Sequence, residues 1–351
     1  MKILINTPKL SLSGGVANHY IGLSNFWSEE VQYNIIGKRN SKKRSGIFWL
    51  PWDIIKFFCK LLFIRPDIVI LNPSLDKSAI QRDSLFLNIA NFMCIRTIVL
   101  IHGWEQPYAD NINKNKFTRI FNKASLILVL ANNFKRQLIS WGITVPIKLT
   151  TTKVDDNLLR GFDITIRKEK TINNILFLSR IEKEKGVYIA IDTYLKIKKE
   201  HPSSTLTIVG DGSELDNIKE LVNNRALDGV FIKGKLSGQE LKNQFLNADF
   251  YLFPTYFGEG MPTSVLEAMA FGLPILTRPN AGLADFLNEK MGYYTESIDS
   301  NDYAIALNKM LSNRELYNSI AIYNYQYAQK HFLASKVAKQ LENYCKSVLC
   351  S

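Results

Sequence analysis

Cysteine is scarce in this chain. Its four copies (Cys59, Cys94, Cys345 and Cys350) show neither a CxxC pair nor metal-ligand spacing. The pattern gives no disulfide framework and no thiolate metal site, and it fits reduced thiols in a cytosolic protein. Long apolar runs are also missing, and no stretch approaches the ~20 residues that a membrane span needs. The opening MKILIN has too few apolar residues for a signal-peptide core and reads as a first strand. There is no repeat at solenoid period and no low-complexity tract. A GxGxxG fingerprint is absent too, which argues against a dinucleotide-dependent dehydrogenase.

What remains is an ordinary globular composition. The 351 residues are 46% apolar and 22% charged, and that length suits two hydrophobic cores better than one. The net charge of +12 is unevenly spread: residues 1–165 carry 22 Lys and Arg against 11 Asp and Glu. Nearly all the excess therefore lies in the first half. Such polarity suits a large anionic partner, whether nucleic acid, anionic membrane face or phosphorylated acceptor; the alternative is a solubility bias spread over loops.

Short β-rich apolar runs alternate with helical patterns along the whole chain. The predicted strands are 2–6, 33–37, 67–72, 97–101 and 126–130, then 173–179, 205–210, 229–234, 249–253 and 273–276. Continuously apolar strands of this kind belong to parallel sheets covered on both faces. Between them, residues 186–200 show apolar positions at helical spacing. The alternation predicts an α/β protein with two facing Rossmann-like, doubly wound parallel-sheet domains and a cleft between them. The polar stretch 155–172 is the expected junction. It divides an N-terminal domain, 1–165, from a C-terminal domain, 166–333, and a final helix at 334–351 is expected to pack back on the first.

Three motifs fall where such sheets bind ligands, beyond the carboxyl ends of strands. SLSGGVANHY (11–20) places Gly14 and Gly15 between the first strand and the first helix, where backbone can approach an anion; many βα turns contain Gly-Gly without binding anything. FLSRIEKEKG (177–186) sets Arg180 and Lys185 on a strand-to-helix loop, a suitable pair of cations for a diphosphate. FPTYFGEGMPTSVLEAMAFGLPIL (253–276) spaces Glu259 and Glu267 seven residues apart, with Pro262, Thr263 and Ser264 opening a helix. A carboxylate accepts two hydroxyls at once, so paired glutamates suit the vicinal diols of sugars. A capped surface helix with two solvated glutamates would not explain the flanking glycines and Pro262.

Together with VGDGSE (209–214), these motifs resemble the retaining GT-B glycosyltransferases of family 4, the group 1 enzymes. The resemblance is strong through 173–280 and looser in the N-terminal half. It implies that Arg180 and Lys185 neutralise the departing diphosphate. Glu259 would hold hydroxyls of the donor sugar and Glu267 those of the ribose. Gly14 and Gly15 would approach the diphosphate from the N-terminal domain, with the nucleotide base near Gly234, Lys235 and Leu236. The loop and helix start Gly260, Met261, Pro262, Thr263, Ser264 and Val265 complete the donor set. His102, directly after strand 97–101, matches the histidine that contacts the donor sugar. Two departures stand out. His102 is followed by Gly103, Trp104 and Glu105, which makes Trp104 and Glu105 candidates on the acceptor side. In RPNAGLADFL (278–287), Asp285 stands where a glutamate is common.

One segment lies outside these motifs. Residues 46–67 combine Trp49, Trp52, Phe57, Phe58 and Phe63 with Asp53, Lys56 and Lys60 at one-turn intervals, after the basic loop GKRNSKKR (37–44). Aromatic anchors with a cationic fringe suit an interfacial helix, and equally a helix packed on the first sheet. The expectation is a metal-independent transferase without cofactor, moving a sugar from a UDP- or GDP-sugar to a saccharide acceptor. That acceptor is expected to be lipid-linked, at the inner face of the cytoplasmic membrane, in bacterial surface-polysaccharide assembly, with no nucleic-acid partner. A soluble acceptor, a GT-B-fold epimerase or phosphorylase, and a non-enzymatic nucleotide-sugar or nucleic-acid binder are the alternatives.

Overall fold

A computed structural model of the chain describes residues 1–12, 14–37, 49–256 and 260–350. Contacts divide it into two units. The first comprises Met1–Lys153, Gly258–Met261 and Ala334–Ser351, and the second Val154–Phe257 and Pro262–Leu333.

In the first unit the strands are β1 (Lys2–Thr7), β2 (Glu30–Ile35), β3 (Ile68–Leu71), β4 (Ser74–Leu75), β5 (Arg96–Ile101), β6 (Gly103–Trp104), β7 (Leu126–Val129) and β8 (Ile147–Leu149). Six of them form a parallel sheet in the order β2-β1-β3-β5-β7-β8, while β4 and β6 pair separately. The central strands β3 and β7 are buried at every position. Alternate residues (Ile3, Ile5, Ile68, Ile70, Ile98, Leu100, Leu126, Leu128) pack with Val337, Ala338, Leu341 and Val348 of the helix Ala334–Leu349. Each such Leu, Ile or Val contributes about 1.5–3 kcal/mol of transfer free energy. A buried carboxylate fixes that helix: Glu342 accepts from Ser28 N (2.6 Å), Ser28 Oγ (2.6 Å) and Glu29 N (3.0 Å). The C-terminal helix is thus part of the first core.

The second unit contains β9 (Asn174–Leu178), β10 (Thr205–Val209), β11 (Val230–Gly234), β12 (Phe250–Phe253), β13 (Ile275–Thr277) and β14 (Gly292–Tyr294). They form one parallel sheet in the order β11-β10-β9-β12-β13-β14. Counted within the unit this is 3-2-1-4-5-6, the doubly wound order whose direction reverses between β9 and β12.

The sequence differs from this outcome at its edges. β8 and β14 carry no sequence signal, because each is three residues long with partly exposed positions. β2 begins at Glu30, ahead of the expected 33. The units part at Val154, not at 165/166. Val154 bridges to Leu333, its N–H donating to Phe332 O at 2.7 Å. Thirteen residues later Arg167 is almost fully buried in the second unit, donating to Phe245 O (2.8 Å), Phe271 O (3.1 Å) and Ala248 O. A stretch that reads as polar linker is therefore a structural pin, tying off helix-end carbonyls of the second unit.

Candidate functional site

The topological switch of the second unit lies between β9 and β12, and both strong motifs follow those two strands. β9 leads into the loop carrying Arg180 and Lys185, which ends at the helix Val187–Glu200. β12 leads into the loop before the helix Thr263–Ala270. The two loops are joined by backbone: Tyr256 N donates to Glu184 O at 2.9 Å. Gly186 sits at φ +83° against the Pro254 carbonyl, and any Cβ there would collide with it. Beneath them the Tyr251 hydroxyl donates to Leu178 O (2.8 Å) and lies 2.7 Å from Ser264 Oγ. One tyrosine on β12 thereby positions the end of β9 and the start of the Thr263–Ala270 helix.

The VGDGSE turn is clamped to the same loop. Ile181 N donates to Asp211 O (2.9 Å) and Glu214 N to Ile181 O (2.9 Å), while Cβ atoms at Gly210 and Gly212 would strike Ser179 and Ile181 backbone. Gly210 N in turn donates to Gly234 O (2.8 Å), so Gly234, Lys235 and Leu236 continue the same rim. Arg180 is exposed and pairs with Glu182 at 2.7 Å. Lys185 is buried in the short turn Lys183–Lys185. Glu267 is half-buried, one turn into its helix, with Pro262 at the N-cap and Thr263, Ser264 and Val265 in the first turn. Glu259 lies outside the described residues. Gly260 and Met261 belong to the first unit rather than to the second. Met261 O accepts from Thr152 Oγ1 at 3.2 Å, and Gly260 lies beside Leu130 and the His102 carbonyl.

In the first unit the sheet order reverses between β1 and β3, and the loop after β1 carries Gly14 and Gly15 at the start of the helix Gly15–Leu23. A Cβ at either glycine would meet nothing within 4 Å, so packing does not account for the pair. Next to it lies a polar cluster. Asn72, just past β3, receives the Tyr20 hydroxyl at 2.7 Å and stands 3.1 Å from His102 Nε2. His102 is half-buried, and burial pulls its pKa down to about 3. His19, buried beside it with ring centroids 5.1 Å apart, is lowered well below its ordinary value by burial, then by His102 and Lys153. Neither His19 ring nitrogen has a hydrogen-bond partner among the described residues. Asn72 escapes sequence reading because a single polar residue beside a strand carries no spacing signal, and His19 and Tyr20, inside the first helix, carry none that points to it.

The turn holding His102 is built by the short β4–β6 pair: His102 N donates to Pro73 O (3.0 Å), and Gly103 allows Ser74 to approach. Trp104 lies flat on Phe134 (4.3 Å, 1°) and near Trp141, so its indole is committed to an aromatic stack. Glu105 is exposed and precedes the helix Gln106–Asn111. Asp285 closes the short helix Ala281–Asp285.

The helix Leu50–Ile64 corrects the sequence reading of its faces. Asp53 is buried and accepts from Gly37 N (2.7 Å), Lys60 Nζ donates to Tyr33 O (2.8 Å), and Phe57 and Leu61 enter the core. The outward face is apolar, with Trp52, Ile55, Phe58, Leu62 and Phe63 exposed, Phe63 by 84%. The inner polar groups satisfy backbone atoms near β2, which leaves the aromatics facing out. The basic loop 38–44 lies outside the described residues.

Residues 163–327 match the family model described as glycosyl transferases group 1. The chain is 22% identical to the putative colanic acid biosynthesis glycosyltransferase WcaL of Escherichia coli, over 58% of this chain and 52% of that protein. It is 24% identical to the amylovoran biosynthesis glycosyltransferase AmsK of Erwinia amylovora, over 56% and 50%. The chain thus spans about half the length of the curated relatives it matches. Among solved structures, Anabaena HepE in complex with UDP superimposes with a TM-score of 0.77 at 16% identity, covering 99% of this chain and 100% of that one. A glycosyltransferase from Rickettsia africae gives 0.75 at 15%, covering 99% and 98%. Residues 163–327 are therefore similar to the glycosyl transferases group 1 family, and the chain has the two-domain α/β fold of the GT-B glycosyltransferases.

Proposed function

We propose that this protein transfers a sugar from a nucleoside-diphosphate sugar, UDP- or GDP-linked, to a saccharide acceptor, with retention of anomeric configuration and without a metal ion. The observation that carries the reading is the convergence in the second unit. The Arg180/Lys185 loop and the segment leading to the Glu267 helix both leave the sheet at its switch point, and a backbone hydrogen bond from Tyr256 N to Glu184 O joins them. Donor binding there puts the diphosphate beside Arg180, Lys185 and the Thr263–Ala270 helix start, where charge developing on the leaving group is stabilised electrostatically. Glu267 and Glu259 would take the hydroxyls of ribose and sugar. Solved neighbours of the same fold were crystallised with UDP and with UDP-glucose, which supports this donor class.

The acceptor reading is a lipid-linked saccharide in surface-polysaccharide assembly at the inner face of the cytoplasmic membrane. It draws on the names of the colanic acid and amylovoran relatives, on the basic first half, and on the exposed apolar face of Leu50–Ile64. The reaction is tested by incubating the protein with UDP- and GDP-sugars and a lipid-linked saccharide, with EDTA present, and measuring nucleoside diphosphate and glycosylated product. Product of retained configuration under EDTA is the expected result. Activity that requires added Mg²⁺ removes the metal-independent mechanism, and hydrolysis without acceptor transfer removes the acceptor.

A further inference from the structure

The polar cluster beside β3 and β5 constrains the protonation of His102 more tightly than a partly exposed histidine requires. Asn72 is buried, and its Nδ2 donates to Asn6 O at 2.8 Å. That bond fixes the amide orientation, so the other atom of the side chain is an oxygen that only accepts. The oxygen takes the Tyr20 hydroxyl at 2.7 Å and faces His102 Nε2 at 3.1 Å. A contact of this length between an amide oxygen and a ring nitrogen requires the proton on Nε2. In a neutral ring the lone pair then sits on Nδ1. We propose that Asn72, held by Asn6 and Tyr20, is a positioning residue that locks His102 in the Nε2–H tautomer and presents Nδ1 as a hydrogen-bond acceptor for a hydroxyl of the sugar substrate. This rests on His102 contacting that sugar.

The ring's surroundings agree with this assignment. Among the described residues no acid is bonded to it, and its nearest ring neighbours are His19 and Tyr20, with centroids at 5.1 and 6.2 Å. A charged group acting on His19 from another segment is Lys153, which crosses Gly22 of the Gly15–Leu23 helix and disfavours a cation on that ring. His102 therefore works as a neutral acceptor and not as an acid. Asn72 touches no substrate in this scheme, since it acts through the ring.

The direct test is the tautomer. Histidine-selective ¹⁵N labelling with two-bond ¹⁵N–¹H correlation reads all four histidines, and a His102→Gln variant assigns the signal. The expected spectrum has a protonated Nε2 and an unprotonated Nδ1 that persists through the neutral pH range. A proton on Nδ1 overturns the proposal whether or not the protein transfers sugar, so this failure is separable from failure of the transferase reading. Asn72→Ala should allow tautomer exchange and lower turnover about 10- to 100-fold with little change in nucleotide affinity. Asn72→Asp keeps an acceptor oxygen, so it should retain the Nε2–H signal, raise the pKa of His102 and bring an acidic limb of the rate profile toward neutrality. An Asn72→Asp enzyme with an unshifted profile, or a folded Asn72→Ala protein with wild-type tautomer and turnover, would leave Asn72 only a structural part.

Discussion

At the scale of single residues, buried polar groups leave the clearest physical signature. His19 and His102 both have pKa values lowered by burial, His102 to about 3. In the unfolded chain each titrates near 6.5. Between about pH 6.5 and 3 the unfolded state therefore binds more protons, and stability rises with pH in that window. We expect the melting temperature to fall as pH drops below 6.5, and the fall to be shallower in a His19→Gln/His102→Gln variant. Equal slopes in wild type and variant between pH 6.5 and 4 would contradict the neutral assignment of the two rings. His102 was legible in the sequence because it ends an apolar strand. Asn72 and Tyr20 were not, because what they do depends on a contact across 52 residues. The same holds for Arg167, whose burial depends on carbonyls supplied by two helix ends far along the chain.

At the scale of elements, the runs that become β1, β3, β5, β7, β9, β10 and β12 were readable because strands buried wholly or largely on both faces are mostly apolar. The edge strands β8 and β14 were not, since an edge needs little apolar content to pair on one side. Helix faces were the harder problem. In Leu50–Ile64 the sequence shows polar and aromatic residues at helical spacing but not which side meets the sheet. The fold turns Asp53 and Lys60 inward and leaves Trp52, Ile55, Phe58, Leu62 and Phe63 outside. Such a face can insert into a bilayer interface, aided by basic residues at roughly 1 kcal/mol each near anionic lipid. Wild-type protein should co-sediment with vesicles containing anionic lipid, more strongly at low salt, and a Trp52→Ser/Phe63→Ser variant should lose most of that binding. Equal binding of both proteins, or none by either, would remove the helix from the membrane reading.

At the scale of the whole molecule, sequence and fold agree best at the motifs of the second unit. The E-x7-E spacing, the Arg180/Lys185 loop and the VGDGSE turn were visible in order along the chain. The fold adds that one sheet reversal gathers the Arg180/Lys185 loop and the Glu267 helix, that the VGDGSE turn is clamped to the first of these, and that Gly186, Gly210 and Gly212 are required for backbone to pass backbone there. Most of the first unit lies outside residues 163–327, the span that the family model matches, and its cluster emerges only in three dimensions. The central claim, that the second unit binds a nucleoside-diphosphate sugar through these groups, is tested most directly by thermal stabilisation. UDP- and GDP-sugars would be screened against wild type, Arg180→Ala and Glu267→Ala in EDTA. A donor at a hundred times its Kd adds about 2.7 kcal/mol to the folded state. The account predicts a raised melting temperature for one donor class with wild type, and a smaller rise with each variant, since each loses a charge-assisted hydrogen bond of about 1.5–3 kcal/mol. No shift with any nucleotide sugar, or equal shifts in all three proteins, would contradict it.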